Sequence, residues 1–423
     1  MDNDNFDIQG FRNAAPYINA HRDRVFVIVF GGEMVADKAF ASLIHDVALL
    51  HSLGVNQVIV HGARPQIEAR LKASGASLQY HAGLRITDAA VLTAVKEAVG
   101  RMRVDIEALL TTGLINTPMS GMRLRVASGN FVTARPLGVR DGVDYQHTGE
   151  VRKIDVQGIQ QQLDLGNIVL LSPLGYSPTG EAFNLSAADV ATMTAASLQA
   201  NKLIFLTENP GLRNDQRRLM RQMSLAEAQA LLNGRCRLSD ECRRDIEAAV
   251  NACLSNVRRV HLISRHIDGA LLKEIYTRDG VGTMITAEAY EGLRAATIDD
   301  VRGILELIAP LEEAGVLVRR SREQMELENQ RFHVIERDGM IIGCASLYPF
   351  ANEALGEIAC LAVHNRYRNK GRGELLLTHL EQKARALALK RLFVLTTQTA
   401  HWFLEHGFRE GAIKSLPIKH REL

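Results

Sequence analysis

Hydrophobic residues fall along this chain in two patterns that alternate. Val25–Phe30 is an unbroken β-branched and aromatic run, as a strand covered on both faces should be. Gly31-Gly32 interrupts it. Residues 39–53 then carry apolar side chains at helical spacing, and Gly54 closes that stretch. Residues 58–60 form a second buried run. Strand, helix, strand in this order is a βαβ unit and predicts a parallel sheet. The alternation recurs, with strands expected at 167–171, 203–207 and 257–263 and helices at 186–198 and 245–254. Residues 116–164 are richer in Gly and Thr and read as hairpins set into the α/β body.

The pattern changes after a junction near 290–296. Thr297 and Asp300 stand at capping-box spacing before a helix over 299–311, and a second helix is expected over 321–329. Strands at 333–337 and 340–347 meet through Asp338-Gly339, a hairpin signal. A strand at 357–363 leads into a basic glycine loop, a helix over 373–388, a strand at 392–396 and a short helix at 400–406 ending in Gly407. The expected organisation is therefore α/β throughout: a parallel-sheet domain over 1–290 and an α+β domain over 295–423.

The length of 423 residues exceeds one ordinary core and agrees with two domains. A net charge of +2 with interspersed signs gives no electrostatic footprint for nucleic acid or a membrane surface. The longest apolar runs are strand-sized, and Met1-Asp2-Asn3-Asp4-Asn5 lacks the basic and apolar regions of a secretory leader. Cys236, Cys242, Cys253, Cys344 and Cys360 form no C-x-x-C pair, which favours reduced thiols, a cytoplasmic location and no metal site.

The basic loop is Arg368-Asn369-Lys370-Gly371-Arg372-Gly373. A glycine-permitted turn can point successive N–H groups at an anion, and the helix that starts there adds its positive end. With the strand before it and the helix after it, this segment resembles the phosphate loop of the GNAT acetyltransferase superfamily. The resemblance implies acetyl-CoA as cosubstrate, with no permanently bound cofactor. Arg366, Arg368, Lys370 and Arg372 would add positive charge, and Gly371 and Gly373 would shape the loop. Cys360, Leu361 and Val363 would lie along the pantetheine arm, with an N–H near Leu361 polarising the thioester carbonyl. An attacking amine with a pKa of about 8 or higher needs a base, and Glu357 heads the strand. Thr396 or Thr397 could protonate the departing thiolate. Glu357 also reads as an edge charge, and Thr396 as a group that merely satisfies backbone.

From about residue 10 onward the chain resembles the bacterial N-acetylglutamate synthase family. The matching stretches include Pro16-Tyr17-Ile18-Asn19-Ala20-His21-Arg22, Leu317-Val318-Arg319-Arg320-Ser321-Arg322-Glu323, Gly356 to Val363, Leu392 to Thr397 and Trp402 to Phe408. That family acetylates the α-amino group of L-glutamate in the first step of arginine biosynthesis. The resemblance implies Glu357 as base, Thr396 as acid and Arg320 as the group that holds an acceptor carboxylate. It also implies a ring-like homo-oligomer, a hexamer among the possible forms. Family members continue past the position of Leu423 with a strand carrying a Tyr…Arg-x-Ser pattern.

Residues 24–290 resemble the amino-acid kinase family. Val29-Phe30-Gly31-Gly32 stands where that family has K-x-G-G, Thr207-Glu208-Asn209-Pro210-Gly211 resembles its T-D-x-P-G turn, and Asn184 to Asp189 its N-x-N-A-D segment. The first lysine is Val29 here, and no lysine occurs between Lys202 and Lys273. Phosphoryl transfer depends on positive charge around the phosphate, so no kinase activity is expected. Arginine-binding relatives imply a site for L-arginine as effector at Tyr17, His261, Glu274 and Gly280, with Glu274 meeting a cationic group of the ligand. Judged alone, His261 reads equally as a core histidine. Two other readings remain at this point: a working acetylglutamate kinase fused to a GNAT module, and an arginine sensor with impaired acetyl transfer.

Overall fold

The computed structural model describes residues 7–37, 39–75, 79–112, 124–214, 216, 218–234, 238–287, 291–337, 339–368, 371–396, 398–412 and 416–417. The chain forms two compact units that divide at 288/289.

In the first unit, eight strands of the described residues make one sheet. They are β1 (Val25–Phe30), β2 (Asn56–His61), β3 (Val126–Ala127), β4 (Ile168–Leu171), β5 (Lys202–Thr207), β6 (Gln222–Ser224), β7 (Arg259–Ser264) and β8 (Thr283–Thr286). Their spatial order is β6-β8-β7-β5-β1-β2-β4-β3, and every pairing is parallel except β7 with β8. β1 shows why an unbroken apolar run suits a central strand. Phe26, Ile28 and Phe30 enter the core on one face, and Val27 and Val29 enter the core on the other. The first of these cores is closed by α2 (Phe40–Ser52) and α3 (Ala89–Thr112) among others, and α1 (Ile8–His21) meets its edge through His21, beside Phe26 and the Ile275 carbonyl. α4 (Ala187–Ser197), capped by Ser186, and α5 (Asp240–Leu254) cover the opposite face.

A second sheet joins Val132–Pro136 and Gly149–Ile154 with Leu174–Tyr176 and Ala182–Asn184. Of the stretch read as hairpins, 116–123 lie outside the described residues and 126–127 belong to the large sheet, while the antiparallel pairs Val132–Pro136 with Gly149–Ile154 and Val139–Arg140 with Val143–Asp144 fit the expectation. Val156–Asp164 is a helix, which Asp155 caps by accepting from the Gly158 N–H.

In the second unit five strands pair in sequence order: β9 (Glu291–Ala295), β10 (Phe332–Arg337), β11 (Met340–Phe350), β12 (Leu355–Val363) and β13 (Arg391–Phe393). β9 lies in the stretch read as a junction. It has no alternating apolar pattern, because it is an edge strand that pairs on one side only. α6 (Ala270–Tyr276) belongs to the first unit. α7 (Val301–Glu313) and α8 (Arg322–Glu328) cover one face of the five-stranded sheet, and α9 (Arg372–Ala386) covers the other. Thr297 and Asp300 form the expected capping box ahead of α7. α10 (Ala400–Glu405) follows β13.

Candidate active site

The working geometry of the second unit comes from a sheet that opens. β12 and β13 pair in parallel only over Leu355–Arg391, Gly356–Leu392 and Glu357–Phe393. The strand expected over 392–396 therefore stops at Phe393, and Val394 to Thr396 leave the ladder. Just past the last pair, β12 carries a bulge. Cys344 pairs with Ala362 and Ser346 with Ala359, leaving one extra residue on β12, and Cys360 there has a φ of +50°. Bulges bend and twist their strands, and here the bend coincides with the loss of pairing to β13.

The opening is a cavity of about 540 Å³. One wall is Ile358 to Val363, and the facing wall is Val394, Leu395 and Thr396 with Trp402 and Phe403 of α10 and His406 just after it. One flank of β12 thus presents backbone groups that a neighbouring strand would otherwise pair. Leu361 and Val363 line this wall as expected. Cys360 lines it too, but its thiol is buried in the core against α7 and α8. Burial pushes that thiol's pKa up. The Arg320 guanidinium opposes the shift, while Glu312, Glu357 and Glu328 reinforce it.

At one end of the cavity lie Tyr367, Arg368, Gly371, Arg372, Gly373 and Glu374, where the chain turns into α9. Gly371 caps α9 with φ +74° and ψ 0°, in left-handed space that favours glycine. Gly373 is small for another reason: a Cβ there would lie 3.2 Å from the Trp402 ring. Arg368 is exposed, and its Nε donates to the Val363 carbonyl at 3.2 Å. Lys370 lies outside the described residues, as do Asn369, Thr397, Asp338 and Cys236.

Arg372 corrects the expectation of a free cation. Its guanidinium is buried, donates through Nε and Nη2 to the Glu291 carboxylate at 2.9 and 2.5 Å, and reaches the Tyr367 carbonyl through Nη1 at 3.1 Å. Arg337 meets the same Glu291 at 3.1 Å. The Tyr367 ring lies 5.2 Å from the Arg337 guanidinium and 5.5 Å from that of Arg372. This ion cluster braces the start of α9, and Arg372 can face an anion only through its backbone N–H. Nothing local in the sequence marked Glu291, because its partners lie 46 and 81 residues away.

Beyond the other end of the cavity stands Glu357, half-buried, one residue before Ile358. It pairs across the sheet with Tyr348 and Phe393. Arg320, with its side chain 16% exposed, donates to the Tyr348 hydroxyl at 2.5 Å. Thr396 lines the cavity, where its hydroxyl accepts from the Thr399 N–H at 3.0 Å and lies 2.8 Å from the Thr399 hydroxyl. Both of these bonds serve the turn into α10.

The expected arginine-site residues belong to the first unit. His261 ends up beside Glu274, Nδ1 to Oε1 at 2.7 Å, and the other carboxylate oxygen accepts from the Val281 and Gly282 N–H groups at 2.7 and 2.9 Å. A Cβ on Gly280 would come within 2.3 Å of Oε2. Glu274 is 8% exposed, and both of its carboxylate oxygens bond to groups of its own chain. Burial alone would raise its pKa, but the His261 and backbone donors outweigh this and hold it down to about 2. Burial also lowers the His261 pKa and keeps the ring neutral, so Nδ1–H is the donor. Tyr17 lies on α1, 6.3 Å from the His21 ring. His21 Nε2 is 3.2 Å from the Ile275 carbonyl, which joins α1 to α6.

An opened sheet, an anion-facing helix start at one end of its cleft and a carboxylate at the other define an acyltransferase of the GNAT class, here joined to a parallel-sheet unit. Residues 300–408 match the acetyltransferase (GNAT) family, and residues 24–264 match the amino acid kinase family. The chain is 54% identical over 413 residues to an amino-acid acetyltransferase of Ectopseudomonas mendocina, covering 97% of this chain and 95% of that one. Its structure is similar to N-acetylglutamate synthase from Neisseria gonorrhoeae complexed with coenzyme A and L-arginine. The TM-score is 0.90 at 39% identity, over 99% of this chain and 97% of that one. The same synthase complexed with coenzyme A and N-acetyl-glutamate matches with a TM-score of 0.65 at 40% identity, over 99% and 96%. The chain belongs to the amino-acid acetyltransferase family, whose members transfer acetyl from acetyl-CoA. Among the described residues, no helix is long and apolar enough to cross a membrane.

Proposed function

We propose that the protein transfers acetyl from acetyl-CoA to the α-amino group of L-glutamate, and that L-arginine regulates it through the first unit. The observation that carries this reading is the single cleft that runs from the start of α9, along the unpaired flank of β12, towards Glu357. The acyl carrier's pyrophosphate meets the N–H groups at the head of α9, with Arg368 and Lys370 adding charge. Its pantetheine amides pair with β12 as an added strand would. Arg320 holds an acceptor carboxylate. Glu357 accepts a proton from the ammonium, the freed nitrogen attacks the thioester carbon, and an N–H near Leu361 stabilises the oxyanion. The C–S bond then breaks, Thr396 gives its proton to the departing thiolate, and the second proton lost by the acylated nitrogen restores the Thr396 hydroxyl.

The arginine site is framed by Tyr17, His261, Glu274 and Gly280. Glu274 acts there through the loop that it orders. The carbonyls of Asp279 and Gly280 in that loop accept from the guanidinium of Arg221, which supports the loop as a guanidinium acceptor. A cytoplasmic homo-oligomer, with a hexameric ring among its possible forms, completes the proposal.

Val29 is 5% exposed within the hydrophobic core, and it stands where a kinase would need a cation. The test is therefore a labelled-acetyl transfer assay with glutamate, run with and without ATP, alongside a hydroxamate assay on N-acetylglutamate, ATP and magnesium. Label should reach glutamate without ATP, and no acyl phosphate should form. Steady hydroxamate turnover, or no labelled product, would refute the reading.

A further inference from the structure

Arg320 is held from several directions by groups that the reaction itself does not call for. Its backbone N–H donates to Glu312 Oε1 at 3.0 Å, and its Nη1 donates to the Tyr348 hydroxyl at 2.5 Å. Tyr348 donates in turn to Glu328 Oε2 at 2.6 Å. A phenol has one proton, so donation to Glu328 leaves its lone pairs for Arg320 and sets the direction of both bonds. Burial and the bond to Glu328 push the phenol up to about 12, so that proton stays in place. Direct contact between Arg320 and Glu328 is no closer than 3.9 Å, so Tyr348 mediates most of the link. The Tyr348 and Phe332 rings lie 5.5 and 5.8 Å from the Arg320 guanidinium carbon and limit where the fork can swing.

Two further facts join this arrangement to the acceptor. Among the described residues, Nε and Nη2 of Arg320 make no hydrogen bond, so part of the fork is left for a carboxylate. Tyr348 also sits directly opposite Glu357 in the β11–β12 ladder, where facing side chains start about 4.5–5.5 Å apart. The group that orients the guanidinium therefore stands on the sheet beside the carboxylate assigned as the base.

We infer that Tyr348, backed by Glu328, is a positioning residue that sets the Arg320 fork at a fixed offset from Glu357 and so selects a carboxylate-bearing amine. The inference rests on Arg320 being the acceptor's clamp. A two-by-two set of Tyr348→Phe and Arg320→Lys variants tests it, with KM measured for both substrates. Tyr348→Phe should raise the glutamate KM by about tenfold, the size of a lost hydrogen bond to a charged group. It should leave the acetyl-CoA KM unchanged, and it should add little in the Arg320→Lys background. Glu328→Gln keeps an acceptor for the phenol and should raise the glutamate KM less; it carries the test if Tyr348→Phe folds poorly. Wild-type glutamate KM in Tyr348→Phe, together with a raised value in Arg320→Lys, would overturn the positioning role and leave the clamp standing. Unchanged glutamate KM in Arg320→Lys would overturn the clamp itself. An equal rise in both substrates' KM would reduce Tyr348 to general support of the sheet.

Discussion

The two units treat their sheets in opposite ways, and chemistry follows the difference. In the first, eight strands run without a gap, and residues at positions shared with kinases are bound to their own chain. Asn184 donates to Thr87, Glu208 accepts from Arg265 and His266, and Val29 lies in the core. In the second, one strand pair comes apart after three residue pairs, and the gap is a cleft along which, among the described residues, no strand pairs with that side of β12. A buried polar group without a partner costs roughly 1–3 kcal/mol. A strand edge left open beside a cleft is matched to a ligand that supplies the partners, whereas a sheet paired without a break is suited to scaffold and signal.

The strongest challenge to this contrast is the base. Glu357→Gln should lower kcat by roughly 10²–10⁴-fold, the usual range for a lost general base. The fold should be kept, because a half-buried side chain at the cleft's end carries little packing. A rate near wild type at neutral pH would show that the opened sheet binds substrates while the proton leaves by another route.

How far the sequence reveals this contrast depends on how local each signal is. β1, β2, β5 and the start of α7 were legible, since an unbroken Val/Ile/Phe run or a capping box needs only its own neighbours. The loop at Gly371 was legible for the same reason: strand, glycine and helix follow one another. The opening of the sheet was not. Residues 392–396 look like a continuous strand, and only the bulge at Cys360, on another strand, accounts for pairing that ends at Phe393. Arg372 misled because sequence shows its charge and hides its partner. Glu291 lies 81 residues away on an edge strand without an alternating pattern. The partners of Glu274 were hidden in the same way, since the N–H groups it accepts from come from a loop seven and eight residues on.

A smaller change probes the anion end of the cleft. Gly371→Val places a β-branched residue at φ +74°, where a non-glycine residue costs about 1–2 kcal/mol. A Cβ would meet nothing within 4 Å, so the penalty is conformational and should fall on the loop and not on the core. The acetyl-CoA KM should rise by about tenfold while the glutamate KM holds. Unchanged coenzyme A affinity by calorimetry would remove the helix start from the binding site.

The smallest effect belongs to the closed sheet. Glu274→Gln exchanges an acceptor-only group for one that also donates, facing His261 Nδ1–H and the Val281 and Gly282 N–H groups. A cost on the order of 2 kcal/mol at pH 7 is expected. The pH dependence gives its signature. The Glu274 pKa falls from 4.5 to about 2 on folding, so its contribution is complete above pH 4.5 and is lost as pH falls through about 2. The His261 pKa also falls, from 6.5, so the neutral ring adds stability that erodes as pH drops below 6.5. In wild type both act in the same direction, but Glu274 also holds the His261 pKa up, so the gap between wild type and Glu274→Gln in denaturant midpoint should persist or widen between pH 6.5 and 4.5 and narrow only below pH 4.5, as Glu274 itself protonates. If Glu274 orders the Gly280 loop for arginine, the variant should keep its arginine-free acetylation rate and lose part of the inhibition, within a coupling of about 1–3 kcal/mol. Arginine binding of wild-type strength in the variant, measured by calorimetry at pH 7, would separate the loop from the sensor and leave Glu274 a purely structural carboxylate.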